Sequence, residues 1–395
     1  MSAGVLIVGG GLAAQRVAET LRRRGYDGAV RIACAETEAP YDRPPLSKEL
    51  LAGSAPEDSV AYRPVDWYAE AEVELLLGAT ATGLDARHRR VRLDGGEELG
   101  YESLVIATGG APRRLPFLTG ANVHELRTLA DLRRLRAQLV PGARLAIVGA
   151  GFIGQEVAAT ARGLGLEVTV IEALPLPLQP IVGPRLGRWF ADLHTEEGVR
   201  VLTGAALDSV RGADRVEELL LADGRRIECD LVVVGIGTVP ATAWLRGSGL
   251  GESGVVVDAG GRTALPGVFA AGDACLALEP RRGVHARTEH WDAAAWQGAS
   301  VAKAILGEQP GRPPLPSFWS DQYGLRVQCV GHPALAGEVA IEGDPGDRDF
   351  EALFLRDGVP VAGLAVGRPR AIPALRKQIE GCGLAAPAQP EMEAA

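Results

Sequence analysis

Two glycine-rich turns are the residues of this chain whose types and spacing most directly specify chemistry. The first is Val5-Leu6-Ile7-Val8-Gly9-Gly10-Gly11-Leu12-Ala13-Ala14, and the second is Leu145-Ala146-Ile147-Val148-Gly149-Ala150-Gly151-Phe152-Ile153-Gly154. In each, Gly9 or Gly149 permits a tight reversal, Gly11 or Gly151 lets backbone approach a pyrophosphate, and Ala14 or Gly154 lets a helix pack closely on a strand. Helix amides and the helix dipole then face the phosphates. A single glycine turn of this kind is weak evidence for a ligand. Here each copy has an apolar strand before it, a helix-spaced stretch after it and an acid at the next strand end, Glu36 or Glu172. Glu36 can accept a ribose hydroxyl. Glu172 can do the same and would repel a 2′-phosphate, which favours NADH over NADPH; the other meaning of Glu172 is a solvated strand-end acid. No arginine follows Glu172 before Arg185. Two such sites imply two dinucleotides held against each other, the layout for passing electrons between them.

Five further residues belong with these turns. Lys48 ends the block Pro40-Tyr41-Asp42-Arg43-Pro44-Pro45-Leu46-Ser47-Lys48, whose prolines restrict the backbone and fix how the lysine is presented. Only Lys48, Lys303 and Lys377 are lysines among 41 basic residues, so a lysine here is a chemical choice against an arginine habit. A compact ammonium beside a flavin would favour the anionic reduced ring; the alternative is a surface lysine. Glu156 lies two residues past Gly154 and could partner Lys48 or a nicotinamide, or serve only as a helix-dipole acid. Asp273 follows the run Val268-Phe269-Ala270-Ala271-Gly272 and can bind a ribityl hydroxyl or cap the next helix. Trp291 and Trp319 could each pack near a cofactor face or in a core.

The elements that must position these residues repeat. Val5–Val8, 13–24 and 29–35 read strand, helix, strand, and 144–148, 153–164 and 167–171 repeat the unit. Parallel strands joined by helices imply doubly wound sheets covered on both faces. Apolar runs at 104–107 and 231–234 each end in a glycine turn, and 255–258 follows. The Pro/Gly-rich stretch 307–316 reads as a linker. Beyond it, 325–330, 352–355 and 361–366 read as strands. The Ala/Pro/Glu-rich tail after Gly383 reads as disordered. No apolar run approaches the ~18 residues of a membrane span, and no basic region precedes the first apolar run, as a signal peptide would require. The five cysteines (Cys34, Cys229, Cys275, Cys329, Cys382) form no C-x-x-C and read as reduced thiols of a cytoplasmic protein, with no metal site. A net charge of −9 argues against nucleic-acid binding.

Taken together, Gly9–Ala14, Tyr41–Lys48, Ala107-Thr108-Gly109, Gly149–Glu156, Ala270–Asp273 and Phe318–Tyr323 resemble the FAD- and NADH-dependent ferredoxin reductases, the putidaredoxin reductase and aromatic-ring dioxygenase reductase type of the pyridine nucleotide-disulfide oxidoreductase superfamily. The resemblance implies an α/β fold with two doubly wound dinucleotide-binding domains, for FAD (1–110 and 240–312) and NAD (111–239), and a C-terminal α/β interface domain (313–395). It implies FAD contacts from Gly11, Ala14, Glu36, Arg43, Lys48, Ala81, Arg127, Asp273 and the region of Trp291. NADH contacts would come from Gly151, Phe152, Ile153, Glu156, Glu172 and Gly237. It implies hydride transfer from NADH to FAD, then single-electron steps to an iron–sulfur ferredoxin serving a cytochrome P450 or oxygenase. Docking of that acidic partner would use Arg281, Arg282 and Arg287, or Arg368, Arg370, Arg376 and Lys377, with the acidic run Glu342, Asp344, Asp347, Asp349 and Glu351 facing away. The basic residue that many relatives carry after Glu172 is absent here. Two other activities share this architecture: a disulfide or peroxide reductase, which needs a cysteine beside the flavin, and a redox-sensing interaction protein resembling apoptosis-inducing factor.

Overall fold

The computed structural model describes residues 4–279 and 283–382. Its first parallel sheet has the order Val268–Ala270, Ser103–Ile106, Val5–Val8, Val30–Cys34, Val73–Leu77. Val5–Val8 is buried at every position, which is why it reads as an unbroken apolar run. One face is covered by the helices Leu12–Arg23 and Trp291–Ile305, with Ala14, Val17, Leu21 and Val301 packed on Val5, Ile7 and Val105. The two helices touch at Gly298, where a Cβ would lie 2.5 Å from Ala13 O. A three-stranded flap, Ala81–Asp85, Arg90–Leu93 and Glu98–Gly100, shields the other face through Val91, Leu93 and Leu99.

The second parallel sheet repeats this plan, in the order Arg200–Leu202, Glu167–Ile171, Arg144–Val148, Leu231–Val234, Val123–His124. It has its own flap, Leu207–Arg211, Glu218–Leu221 and Arg226–Glu228, so the repeat extends past the strand–helix–strand unit visible in the sequence. The chain enters and leaves this unit through two short strands, Gly110–Pro112 and Thr238–Pro240, paired antiparallel.

The last unit is an antiparallel sheet, Ser317–Gln322, Leu325–Gly331, Val359–Val366, Asp349–Arg356, Glu338–Asp344, backed by the helix Ala371–Gly381. Three of its strands match the apolar runs of the sequence. The strands Ser317–Gln322 and Glu338–Asp344 were not legible, because both lie at the sheet's edges, the first with mostly polar residues and the second with its short apolar run Val339-Ala340-Ile341 flanked by acids and a glycine. A helix at Gln179–Glu196 was also missed. Pro180, Gly183 and Pro184 mask it, and Gly183 (φ +76°) breaks its helical path. Its Val182, Leu186 and Phe190 share a core with Val327, Phe350, Phe354 and Leu364, so the last unit packs against the second. The tail after Gly383 lies outside the described residues.

Candidate functional site

Gly9 has φ +115°, and a Cβ there would lie 2.2 Å from Ala107 O; Gly149 has φ +101°, with Gly235 O at 2.4 Å. The two turns are therefore held the same way, each pressed against the next strand's exit. Gly154 shows the close helix–turn approach expected of the third small residue, its Cβ position being 2.3 Å from Gly149 O. The helices Leu12–Arg23 and Phe152–Gly163 open on Gly11 and Gly151 with no side-chain cap and no acid in the first turn. Their orphan amides and positive dipole ends are left for an anion. A Cβ on Gly11 would meet nothing within 4 Å. This is an open cradle at the C-terminal edge of each sheet, where open α/β sheets bind ligands.

A polar string runs along the mouth of the first cradle. Glu36 receives Arg43 Nη2 at 2.7 Å and the Tyr41 hydroxyl at 2.5 Å. Arg43 Nη1 donates to Arg127 O at 2.5 Å, and Arg127 Nη2 pairs with Asp273 Oδ2 at 3.1 Å. Burial, with the nearby Arg43 charge, pulls the Arg127 guanidinium below its ordinary value. Two guanidiniums in one groove favour a doubly charged pyrophosphate. Asp273 is thus an ion-pair partner in the groove. Ala81 opens a flap strand beside this mouth, where Gly78 N–H donates to Glu36 O and Ala79 N–H to Cys34 O. Trp291 donates through Nε1 to Asp42 at 2.8 Å and stands edge-on to Trp319 at 6.2 Å, so it is pinned to the proline block.

In the second cradle Glu172 accepts from Ala150 N and Leu174 N, both at 2.8 Å, which fixes its carboxylate against the glycine turn. Gly237 (φ +97°) has open space where a Cβ would be. Phe152 packs on Phe318 with ring centroids 4.8 Å apart, while Ile153 is 47% exposed at the same helix end.

Lys48 and Glu156 join the two cradles. Lys48 Nζ lies 3.1 Å from Glu156 Oε2 and also donates to Pro44 O at 3.1 Å, and the two side chains are 10% and 3% exposed. Ser47 Oγ donates to the same carboxylate at 2.5 Å, and Thr160 Oγ1 donates to Ser47 O at 2.7 Å. Glu156 and Thr160 are four residues apart and so share a helix face, which clasps the loop. Leu46, Leu50 and Leu51 seal the contact against Val157, Ala158 and Ala161. Lys48 is not a surface lysine, and Glu156 is not a mere helix-dipole acid.

Sequence reasoning missed the rest of Glu156's surroundings. Ser320 Oγ donates to Glu156 Oε1 at 2.7 Å, and Gln322 Nε2 donates to Ser320 at 3.0 Å. The available signal was period two: Ser320 and Gln322 point to the buried face of one strand. The expected charge segregation also needs correction. Arg368 pairs with Asp349 and lies 3.6 Å from Glu351, because strand pairing sets Phe350 against Val366 just before it. Part of the acidic run therefore borders the basic set instead of facing away. Arg287 pairs with Glu289 at 2.5 Å and donates to Thr238 O, and Arg376 donates to Leu315 O, while Arg370 and Lys377 are exposed. Arg281 and Arg282 lie outside the described residues. Among the described residues, Cys34, Cys229, Cys275 and Cys329 are buried free thiols, and burial pushes the Cys275 thiol up to about 12. Also among them, no helix is long and apolar enough to cross a membrane, and no cluster of three or more His, Cys, Asp or Glu side chains could hold a metal ion.

Comparison with known proteins agrees with this architecture. Residues 3–298 match the pyridine nucleotide-disulphide oxidoreductase family, and residues 317–390 match the reductase C-terminal family. The chain is 39% identical over 388 residues to the ferredoxin–NAD(+) reductase component of the anthranilate 1,2-dioxygenase system of Burkholderia cepacia, covering 97% of this chain and 96% of the relative. It is 34% identical over 374 residues to putidaredoxin reductase of Pseudomonas putida, covering 92% and 89%. Its structure superposes on the reductase of the covalent putidaredoxin reductase–putidaredoxin complex with a TM-score of 0.93 at 33% identity, covering 96% of this chain and 94% of that one. With two glycine cradles, the ion pair between them and a matching C-terminal sheet, the chain belongs to the pyridine nucleotide-disulphide oxidoreductase family and carries its reductase C-terminal domain.

Proposed function

We propose that this chain is an NADH-dependent, FAD-containing ferredoxin reductase that passes electrons to a small iron–sulfur ferredoxin serving a cytochrome P450 or an oxygenase. The observation that carries this is the buried Lys48–Glu156 pair. It ties the proline block of the first cradle to the helix of the second, which supports two dinucleotide sites facing one another. The ferredoxin-reductase names of the relatives, and the putidaredoxin seated on the structural neighbour, support the choice of acceptor.

Residues 1–110 and 240–312 would form the FAD domain, 111–239 the NAD domain and 313–395 the interface domain. FAD fits the first cradle on three observations: the open space at Gly11, the uncapped helix end, and the Arg43–Arg127 pair. Gly9, Gly11, Ala14, Glu36, Arg43, Ala81, Arg127, Asp273 and Trp291 would hold it. Gly149, Gly151, Phe152, Ile153, Gly154, Glu172 and Gly237 would hold NADH. When bound, FAD supplies an acceptor that takes electrons in pairs and releases them singly. The protein orients the reactants. Lys48 contributes a fixed positive charge whose position Glu156 and Pro44 O determine. Glu172, held by two amides, presents negative charge where a 2′-phosphate would sit. The disulfide-reductase alternative lacks its nucleophile, since the proline block contains no cysteine. Four buried reduced thiols also suit a cytoplasmic protein.

The test is anaerobic reduction of the FAD-loaded protein by NADH or NADPH, followed by addition of a [2Fe–2S] ferredoxin, a disulfide or a peroxide. Rapid bleaching by NADH and reoxidation by ferredoxin alone support the assignment. Faster bleaching by NADPH, or reoxidation by disulfide or peroxide but not ferredoxin, defeats it.

A further inference from the structure

Behind Glu156 lies a buried hydrogen-bond chain that the reaction above does not use directly. Glu156, Ser320, Gln322, Gln155 and His194 are each 2% exposed or less. His194 Nε2 lies 3.0 Å from Gln322 Oε1 and 3.2 Å from Gln155 Oε1, and its Nδ1 lies 2.7 Å from the Tyr323 hydroxyl. The direction of every bond follows from one end. A carboxylate only accepts, so the Ser320 hydroxyl donates to Glu156. Its oxygen then takes the Gln322 amide proton, which turns Gln322 Oε1 toward His194. Two acceptors at Nε2 require the proton there, so Nδ1 is the acceptor and Tyr323 donates to it. From Tyr323 through His194, Gln322 and Ser320, each donor points toward Glu156. Proton transport along such a chain would have to cross the Gln322 amide, which neither gains nor loses a proton readily, so the chain orients groups and does not conduct.

Two more observations mark it as built. Tyr323 has φ +53° in the two-residue turn before Gly324 (φ +76°), a position where asparagine or glycine is usual. A strained tyrosine there delivers its hydroxyl to His194. Gln155 Nε2 also donates to Ala150 O at 2.8 Å, so His194 clamps the second glycine turn and Ser320 together. Three sequence-distant pieces thus meet on one carboxylate: the proline block, the second glycine helix and the first strand of the C-terminal sheet.

We propose that Ser320 is a positioning residue for the Lys48–Glu156 pair, held as a donor by Gln322, His194 and Tyr323, so that the C-terminal domain sets the ammonium where the two cradles meet. The proposal rests on the oxidoreductase assignment for its kinetic arm only. Its other arm is magnetic resonance of the full chain with isotope-labelled lysine. Three lysines give three side-chain signals, and Lys48→Met identifies the one to follow.

Ser320→Ala should move the Lys48 signal and leave those of Lys303 and Lys377 in place, with or without FAD. Tyr323→Phe, which removes one oxygen from a half-buried site, should move it the same way by less. In the FAD-loaded protein, Ser320→Ala should slow flavin bleaching by NADH about tenfold at saturation, as expected for losing a bond to a charged group, with the NADH dissociation constant changed less. In a Lys48→Met background the same substitution should add almost nothing, because its effect passes through the pair. An unmoved Lys48 signal overturns the proposal. So does an equal loss of rate with and without Lys48. Wild-type protein that NADH bleaches but ferredoxin does not reoxidise would defeat the acceptor assignment and leave this result standing.

Discussion

Removing both members of the Lys48–Glu156 pair should cost clearly less than the sum of removing each alone. At 3.1 Å and an effective dielectric of about 20, the attraction between the two charges is about 5 kcal/mol. Desolvation of two nearly buried groups offsets much of this, but a single deletion leaves the other charge buried without its counterion, at about 3 kcal/mol or more. Glu156→Gln keeps the shape of the side chain and offers Ser320 an oxygen in place of Oε1, yet puts an amide nitrogen where Oε2 accepted from both Lys48 and Ser47. Lys48→Met keeps the length and leaves the carboxylate to two hydroxyls. The assay is urea unfolding of the FAD-free protein, followed by tryptophan fluorescence, for the parent, both single variants and the double variant. Each single substitution should lower stability by about 3 kcal/mol, and the double should lose at least ~1.5 kcal/mol less than their sum. Additivity within ~0.5 kcal/mol would refute the reasoning, because the two groups would then not share a buried electrostatic contact.

Gly11→Asp should abolish FAD binding without unfolding the chain, since it places a carboxylate in the open space before the uncapped helix; the ratio of flavin to protein absorbance, with circular dichroism, checks this. Glu172→Gln should narrow the preference in kcat/KM for NADH over NADPH by about tenfold, through loss of one repulsive charge facing a 2′-phosphate; steady-state kinetics with both coenzymes decide it. Burial lowers His194 to about 4 against an ordinary 6.5, so its folded form resists the proton that the unfolded chain accepts. The protein should be free of this penalty above pH 6.5 and lose up to about 3 kcal/mol as pH falls toward 4. His194→Gln should lack that increment, and parallel acid-stability curves for variant and parent would contradict it.

Much of the site was legible because its chemistry is local. Gly9 and Gly149 announce themselves through the positive φ that glycine favours, Gly11 through the open space where a side chain would intrude, and the apolar runs before the turns are strands buried on both faces. Lys48 stood out against an arginine-rich background and between prolines. What the sequence hid depends on contacts between distant segments. Ser320 and Gln322 sit on an edge strand with a polar sequence, and their inward face has meaning only once Glu156 lies opposite, 164 residues away from Ser320. His194 lies in a helix obscured by Pro180, Gly183 and Pro184. The pairing of Arg368 with Asp349 follows from sheet register, which no local charge pattern encodes. The repeat was recognised only as strand–helix–strand, because the short flap strands carry alternating polar and apolar residues with little periodic length.

The central claim is that electrons pass from NADH through FAD to a ferredoxin across the site that Lys48 and Glu156 hold together. The most direct measurement is anaerobic double-mixing stopped flow: the FAD-loaded protein is first mixed with one equivalent of NADH, then with oxidised [2Fe–2S] ferredoxin, while flavin and iron–sulfur absorbance are followed separately. The expected result is rapid flavin bleaching in the first mix, then recovery of flavin absorbance matched by single-electron reduction of two ferredoxins for each NADH. Flavin that bleaches with NADH but stays reduced in the presence of ferredoxin, or that NADH does not bleach at all, would contradict it.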